Sequence, residues 1–258
     1  MFSIVCVYND KKSYQKNLLA SLKKQNTFYD LIALNNTKKR FSSAAEGLNY
    51  GAEKAKGNYI IFIHQDVFLK EANWLKKAEK IISKTNNLDI AGVAGLDFQN
   101  KRLGFIDDAG SIWGKPFKKP RISQTLDECL LIIPADVFKK QKFDEKNFNG
   151  WHLYGVDYAL AVKKLSLKTY VLPLYVQHQS PKKNIKNLFK YQKRVFEKHR
   201  NNHKYICTTT GFLSRLTLDL KSKLPNNRVV EFFWGIAGIS PVGKLYQNLI
   251  KRIWNKIS

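Results

Sequence analysis

Two rhythms of apolar and polar positions alternate along this chain. Short continuous apolar runs, rich in β-branched and aromatic residues, occur at 2–8, 31–34, 59–63, 90–95, 129–133 and 169–172. Such runs read as buried strands, and the first two are closed by the turn formers Asn9-Asp10 and Asn35-Asn36. Segments of helical character lie between them. Tyr14, Leu18, Leu19 and Leu22 share one helical face, residues 44–56 form a helix stopped by Gly57-Asn58, and 71–84, 134–140 and 154–165 follow. Residues 102–123 are rich in Gly, Lys, Pro and Asp and predict a long loop or hairpin. The strand that begins at Thr169 is expected to end at His178. Strands alternating with helices predict an α/β fold whose central sheet is mostly parallel and covered on both faces.

Beyond Pro181 the pattern turns helical. Ile185, Leu188, Phe189, Gln192, Val195 and Phe196 make one stripe; Val242, Leu245, Leu249, Ile253 and Ile257 make another, opened by Ser240-Pro241. The expected organisation is an α/β domain over 1–181 and a basic helical extension over 182–258. Charge sharpens that division. The chain carries a formal +25, and residues 182–258 alone hold 17 Lys and Arg against 3 Asp and Glu. Such a surface attracts anionic lipid, nucleic acid or phosphate-bearing glycans. Its second stripe, with Trp254 at the edge and basic residues opposite, suits a helix lying on an anionic membrane, or one packed on the α/β domain or a dimer partner. No apolar run approaches the ~18 residues of a membrane span. No secretory leader is visible at the N-terminus, and a cytoplasmic location, peripheral at the inner face of the membrane, is expected. Cys6, Cys129 and Cys207 lack metal-binding spacing and read as buried thiols.

The candidate chemistry sits at predicted strand ends. The run 59–63 delivers His64-Gln65-Asp66, where residues two apart share a side of an extended chain. In open α/β sheets the carboxyl ends of strands are where ligands bind. Asp66 and His64 could hold a divalent metal on a phosphate, with His178 completing the set; imidazole ligation favours Mn²⁺ over Mg²⁺. The bland alternative is that His64 and Asp66 end a strand and bind each other. Asp157, early in a helix, suits a general base or an ordinary helix N-terminal acid. Trp151 and His152 precede it, and the indole suits either a sugar face or a plug in the core.

The order of these residues resembles a known family. The strand ending in Tyr8-Asn9, the stretch from Gly47-Leu48-Asn49-Tyr50-Gly51 through Tyr59 to His64-Gln65-Asp66, and Trp151-His152-Leu153-Tyr154-Gly155-Val156-Asp157 are similar to inverting family 2 glycosyltransferases of the GT-A fold. Within them they resemble the branch named after a streptomycin-biosynthesis protein. The resemblance covers roughly residues 2–180. It implies a Rossmann-like GT-A domain that moves a sugar from a nucleotide-diphosphate donor to a hydroxyl of a glycan or lipid-linked acceptor, in bacterial surface polysaccharide synthesis. It implies that Tyr8, Asn9, Asn35, Asn49 and Gln65 bind the donor, Trp151 and His152 the acceptor, and Asp66, His64 and His178 a Mn²⁺ or Mg²⁺ ion. Asp157 is the implied catalytic base. The chain departs from the family pattern at His64, which replaces the first acid of Asp-x-Asp, at Asn35, where many relatives place an Asp, and at Val156, where an acid is common. Two other classes remain: a non-catalytic GT-A-like glycan-binding or scaffold protein, and a basic nucleic-acid-binding protein. No nucleic-acid motif is present, so a nucleic-acid partner is not expected.

Overall fold

The computed structural model describes residues 1–85, 88–179 and 187–222. The stripe at 242–257 with Ser240, Pro241 and Trp254, and also Ser180, Pro181 and Ile185, lie outside them. A seven-stranded sheet forms the centre. Its strands are β1 (Phe2–Tyr8), β2 (Tyr29–Asn35), β3 (Tyr59–Ile63), β5 (Ile90–Gly92), β9 (Arg121–Ser123), β11 (Leu130–Pro134) and β12 (Thr169–Val171), in the order β2-β1-β3-β11-β5-β12-β9. Pairings of β1 with β2 and β3, and of β5 with β12, are parallel; β11 and β9 run against them. The sheet is therefore mostly parallel, as the alternation of elements predicted.

Strand periodicity divides the core in two. Along β3, Ile60 and Phe62 enter one buried cluster while Ile61 and Ile63 enter the other; in β1, Val5 opposes Ile4 and Cys6 in the same way. Burial on both faces explains why these strands are apolar throughout. The helix Ala44–Ala52 lies close against β1. A Cβ on Gly51 would come within 2.4 Å of Val5, so the sheet can approach only because that position lacks a side chain. Ser43 caps this helix through Glu46 N–H, and the Glu46 carboxylate accepts the N–H and hydroxyl of Ser42. The helix stops at Ala52, short of the expected 56, and the chain finishes the connection in turns.

Two expected strands are each divided. Instead of one strand over 90–95, β5 ends at Gly92 and β6 (Ala94–Leu96) begins after Val93, in a second sheet. Likewise the strand expected to run from Thr169 to His178 breaks around Pro173, and β13 (Val176–His178) joins the second sheet. That sheet also holds β4 (Val67–Phe68), β7 (Arg102–Asp108) and β10 (Thr125–Leu126), in the order β10-β6-β7-β13-β4. The segment predicted as loop or hairpin is a hairpin: β8 (Ser111–Gly114) pairs antiparallel with β7. Helix Leu188–His199 buries Leu188, Tyr191, Val195 and Phe196 in the same cluster as Val5 and Phe62, so the first helical stripe packs on the core of the central sheet. A hairpin of β14 (Ile206–Thr208) and β15 (Gly211–Leu213) and the helix Arg215–Ser222 follow. Among the described residues no helix is long and apolar enough to cross a membrane.

Candidate active site

The carboxyl ends of β1 and β3 open onto a cavity of about 510 Å³. The segment after β3 shapes its floor: His64 N–H still pairs with Cys129 O, then Val67 N–H turns back to His64 O. This turn aims Gln65 at β1, where its carbonyl accepts the N–H groups of Asn9 and Asp10 and its amide donates to Asn9 Oδ1. Asn9, His64, Gln65 and Asp66 therefore line one wall. Trp151, His152, Tyr154 and Tyr191 also line the cavity. Trp151 is 40% exposed, which sets it at the mouth rather than in the core.

The second sheet brings His178 to Asp66, because β13 pairs antiparallel with β4 and places His178 opposite Val67. One donor atom from each of His64, Asp66 and His178 lies within 4.8 Å of the others. Asp66 Oδ1 is buried outside hydrogen-bond geometry, 3.3 Å from His178 Nε2. The other ring nitrogen, Nδ1, faces Asp108 Oδ1 at 3.1 Å. His64 Nε2 lies 3.0 Å from the Tyr154 hydroxyl. Electrostatics differ sharply across the cluster. Burial, with the neighbouring His178 and His152, keeps His64 below its ordinary pKa despite Asp66 and Asp127. Burial would lower His178 too, but Asp108, Asp66 and Asp127 outweigh it and push the imidazole up to about 10. Asp66 is raised by burial and more than compensated by His178 and His64, so it ends below the ordinary carboxylate value. A carboxylate with an orphaned buried oxygen beside two imidazoles suits a divalent ion, and the His178 proton occupies the charge that such an ion would supply.

Other residues expected at the site lie elsewhere. Tyr8 stacks on Tyr14 with ring centroids 4.4 Å apart and is not part of the cavity lining. Asn35 is exposed, its side chain accepting the N–H and hydroxyl of Thr37. The adjacent Asn36 is the built-in one, clasping Phe41 through its N–H and carbonyl. Asn49 is buried and holds the 143–145 segment through Phe143 and Glu145. Asp157 lies in helix Tyr154–Ala161 but not on the cavity wall. It is 2% exposed, with Lys198 Nζ 2.8 Å from Oδ2 and His199 Nε2 2.6 Å from Oδ1.

Sequence reading missed the partners: Tyr154 beside His64, Asp108 behind His178, and Lys198 and His199 on Asp157. Asp108 carried a usable signal, since it closes a strand ahead of the Ala109-Gly110 turn as Asp66 closes its own. Lys198 and His199 end a helical stripe and read as ordinary solvated residues. Glu128 was also missed. It sits under the helix start, its carboxylate facing the N–H groups of Leu153 and Gly155; burial and the Asp127 charge nonetheless push it up to about 8. Leu153 adopts the left-handed conformation (φ 63°), so the chain turns sharply before presenting Tyr154 to His64.

Comparison with known proteins bears on the fold and the family. A curated protein of Fuscovulum blasticum, described as ATP synthase subunits region ORF 6, is 22% identical over 212 residues, covering 78% of this chain and 84% of its own. Three solved structures share the fold. S. aureus TarS residues 1–349 gives a TM-score of 0.55 at 15% identity over 92% of this chain and 78% of its own. The mannosyltransferase PcManGT from Pyrobaculum calidifontis, solved with GDP-Man and Mn²⁺, gives 0.56 at 10% identity over 99% and 83%. GalNAc-T7, solved with UDP, GalNAc and Mn²⁺, gives 0.55 at 15% identity over 76% of this chain, which spans 48% of that protein. The fold is thus GT-A, the α/β architecture with a large central sheet flanked by helices. The family model described as Glycosyltransferase like family matches residues 2–199, and the chain belongs to that family.

Proposed function

We propose that this chain is an inverting glycosyltransferase that moves a sugar from a nucleotide-diphosphate donor to a hydroxyl of a glycan or lipid-linked acceptor. The observation that carries the reading is the His64–Asp66–His178 cluster, of which His64 and Asp66 line the cavity at the carboxyl ends of β1 and β3. A divalent ion held by these three residues would neutralise the charge developing on the leaving diphosphate. Their mixed nitrogen and oxygen donors favour Mn²⁺, the ion named with two of the structurally similar proteins. Asn9 and Gln65, locked to each other, orient the donor. Trp151 offers a flat apolar face to a sugar, and His152 a polar contact beside it. Surface polysaccharide synthesis, attachment to an anionic membrane and the streptomycin-type branch belong to this same proposal.

Asp157 is the proposed base, as its place early in the helix after Trp151-His152 supports. It must exchange its Lys198 and His199 partners for the acceptor hydroxyl before it can take a proton. That clasp also favours a second reading, in which Asp157 only ties two helices together and the fold binds glycan without transfer. A panel of nucleotide sugars, screened for thermal stabilisation with and without Mn²⁺ and then for transfer, tests the first reading. Stabilisation by at least one donor is expected; none, from any donor, overturns it. Asp157→Asn should abolish transfer and leave donor binding intact, whereas unaltered turnover would remove Asp157 from the chemistry.

A further inference from the structure

A second cavity, also about 510 Å³, lies beyond the Asn9–Gln65 pair and shares no lining residue with the first. Lys12, Ser13 and Lys16 from the first helical segment face Gln177 and Gln179 across it. These two glutamines flank His178, and Gln179 N–H donates to Asp66 O at 2.8 Å. The cavity is thus joined to Asp66 through the backbone of Gln179, while His64, Asp66 and His178 themselves stand outside its lining.

Its chemistry is rich in donors and net positive. Among the described residues neither Lys12 nor Lys16 makes an ion pair. The single acid, Asp10, already accepts Ser13 N–H at 3.0 Å. Lys16 belongs to a π-helical stretch, Gln15–Leu19, set within the helical run 11–22. Such insertions change which side chains face a neighbouring cavity and are frequent at functional sites. Two ammonium groups, a hydroxyl and two carboxamides converging on one hollow complement an anion with several acceptor oxygens.

We propose that this cavity binds an anionic group, a phosphate monoester or a carboxylate, carried by the acceptor. The inference rests on the transferase reading. It makes the acceptor an acidic molecule that extends from the Trp151–His152 side of the first cavity past the Asn9–Gln65 pair.

The test is calorimetry on the full chain. Inorganic phosphate, glucose 6-phosphate and glucuronate are titrated separately, and UDP with Mn²⁺ is titrated as a control for the first cavity. At least one of the three anions should bind saturably at one site, and which one does distinguishes phosphate from carboxylate. The double variant Lys12→Met, Lys16→Met should weaken that binding at least about tenfold while UDP with Mn²⁺ binds as before. No binding by any of the anions, equal binding by the variant, or displacement of the anion by UDP would each overturn the assignment. Failure of UDP and, titrated in the same way, of GDP and the other nucleoside diphosphates to bind wild-type protein would instead strike the transferase reading.

Discussion

His178 offers the sharpest test of the electrostatics of the site. In the metal-free protein its imidazole is pushed from 6.5 up to about 10 by Asp108 and Asp66, against the opposing effect of burial. The folded chain thus holds this proton more tightly than the unfolded chain does. Its contribution to stability is complete below pH 6.5 and disappears as pH rises to about 10. At about 1.4 kcal/mol per pH unit, that gap corresponds to ~5 kcal/mol, a large share of the roughly 5–15 kcal/mol that stabilises a typical domain. The His178 side chain is 14% exposed, so little of this is lost to solvent screening. Cys6, Cys129 and Tyr154 are raised by burial and also lose stabilisation at alkaline pH, so wild type alone does not isolate His178. The assay is urea unfolding in EDTA at several pH values between 6 and 10, for wild type and His178→Gln. The wild-type advantage over the variant should shrink by several kcal/mol across that range. An advantage constant with pH would refute the proposed proton sharing among Asp66, His178 and Asp108.

Three further outcomes are expected of the same contacts. Since His178 must release its proton to ligate a metal, apparent Mn²⁺ affinity should rise about tenfold per pH unit between roughly pH 7 and 9; calorimetry showing a flat profile would exclude His178 as a ligand. Lys198→Met leaves buried Asp157 with His199 alone and also unpairs Asp144, whose carboxyl ends at about 2 because Lys198 and Asn147 outweigh the effect of burial. Unfolding should show a loss of ~3 kcal/mol, and less than ~1 would mean that the clasp adds little. Gly150→Ala places a Cβ 2.2 Å from the Tyr191 hydroxyl, which now contacts Asn149. The Michaelis constant for acceptor should rise with donor binding unchanged; an unaltered constant would remove this wall from acceptor recognition.

Local pattern alone was enough to determine much of this molecule. Strands buried on both faces must be apolar throughout, so β1, β3 and β11 stand out as continuous runs, and polar residues just beyond β1 and β3 mark the ligand-binding edge. Asn9, His64, Gln65 and Asp66 were legible for that reason. Breaks such as Val93 and Pro173 were not, because a strand that changes sheets keeps the same apolar composition on both sides of the break. Asn35 and Asn36 were indistinguishable in sequence, since which of them turns inward depends on how β2 ends against Tyr8. Only tertiary structure could decide the partners of each ionisable group. Burial and a neighbour's charge set that outcome, and both arise from contacts between segments as distant as Asp66 and His178 or Asp157 and Lys198. A periodic pattern records which face of an element is buried, but it carries no record of what lies against that face. For this reason the His64–Asp66–His178 cluster could be anticipated from strand ends, whereas the clasp on Asp157 and the second cavity emerged only with the fold.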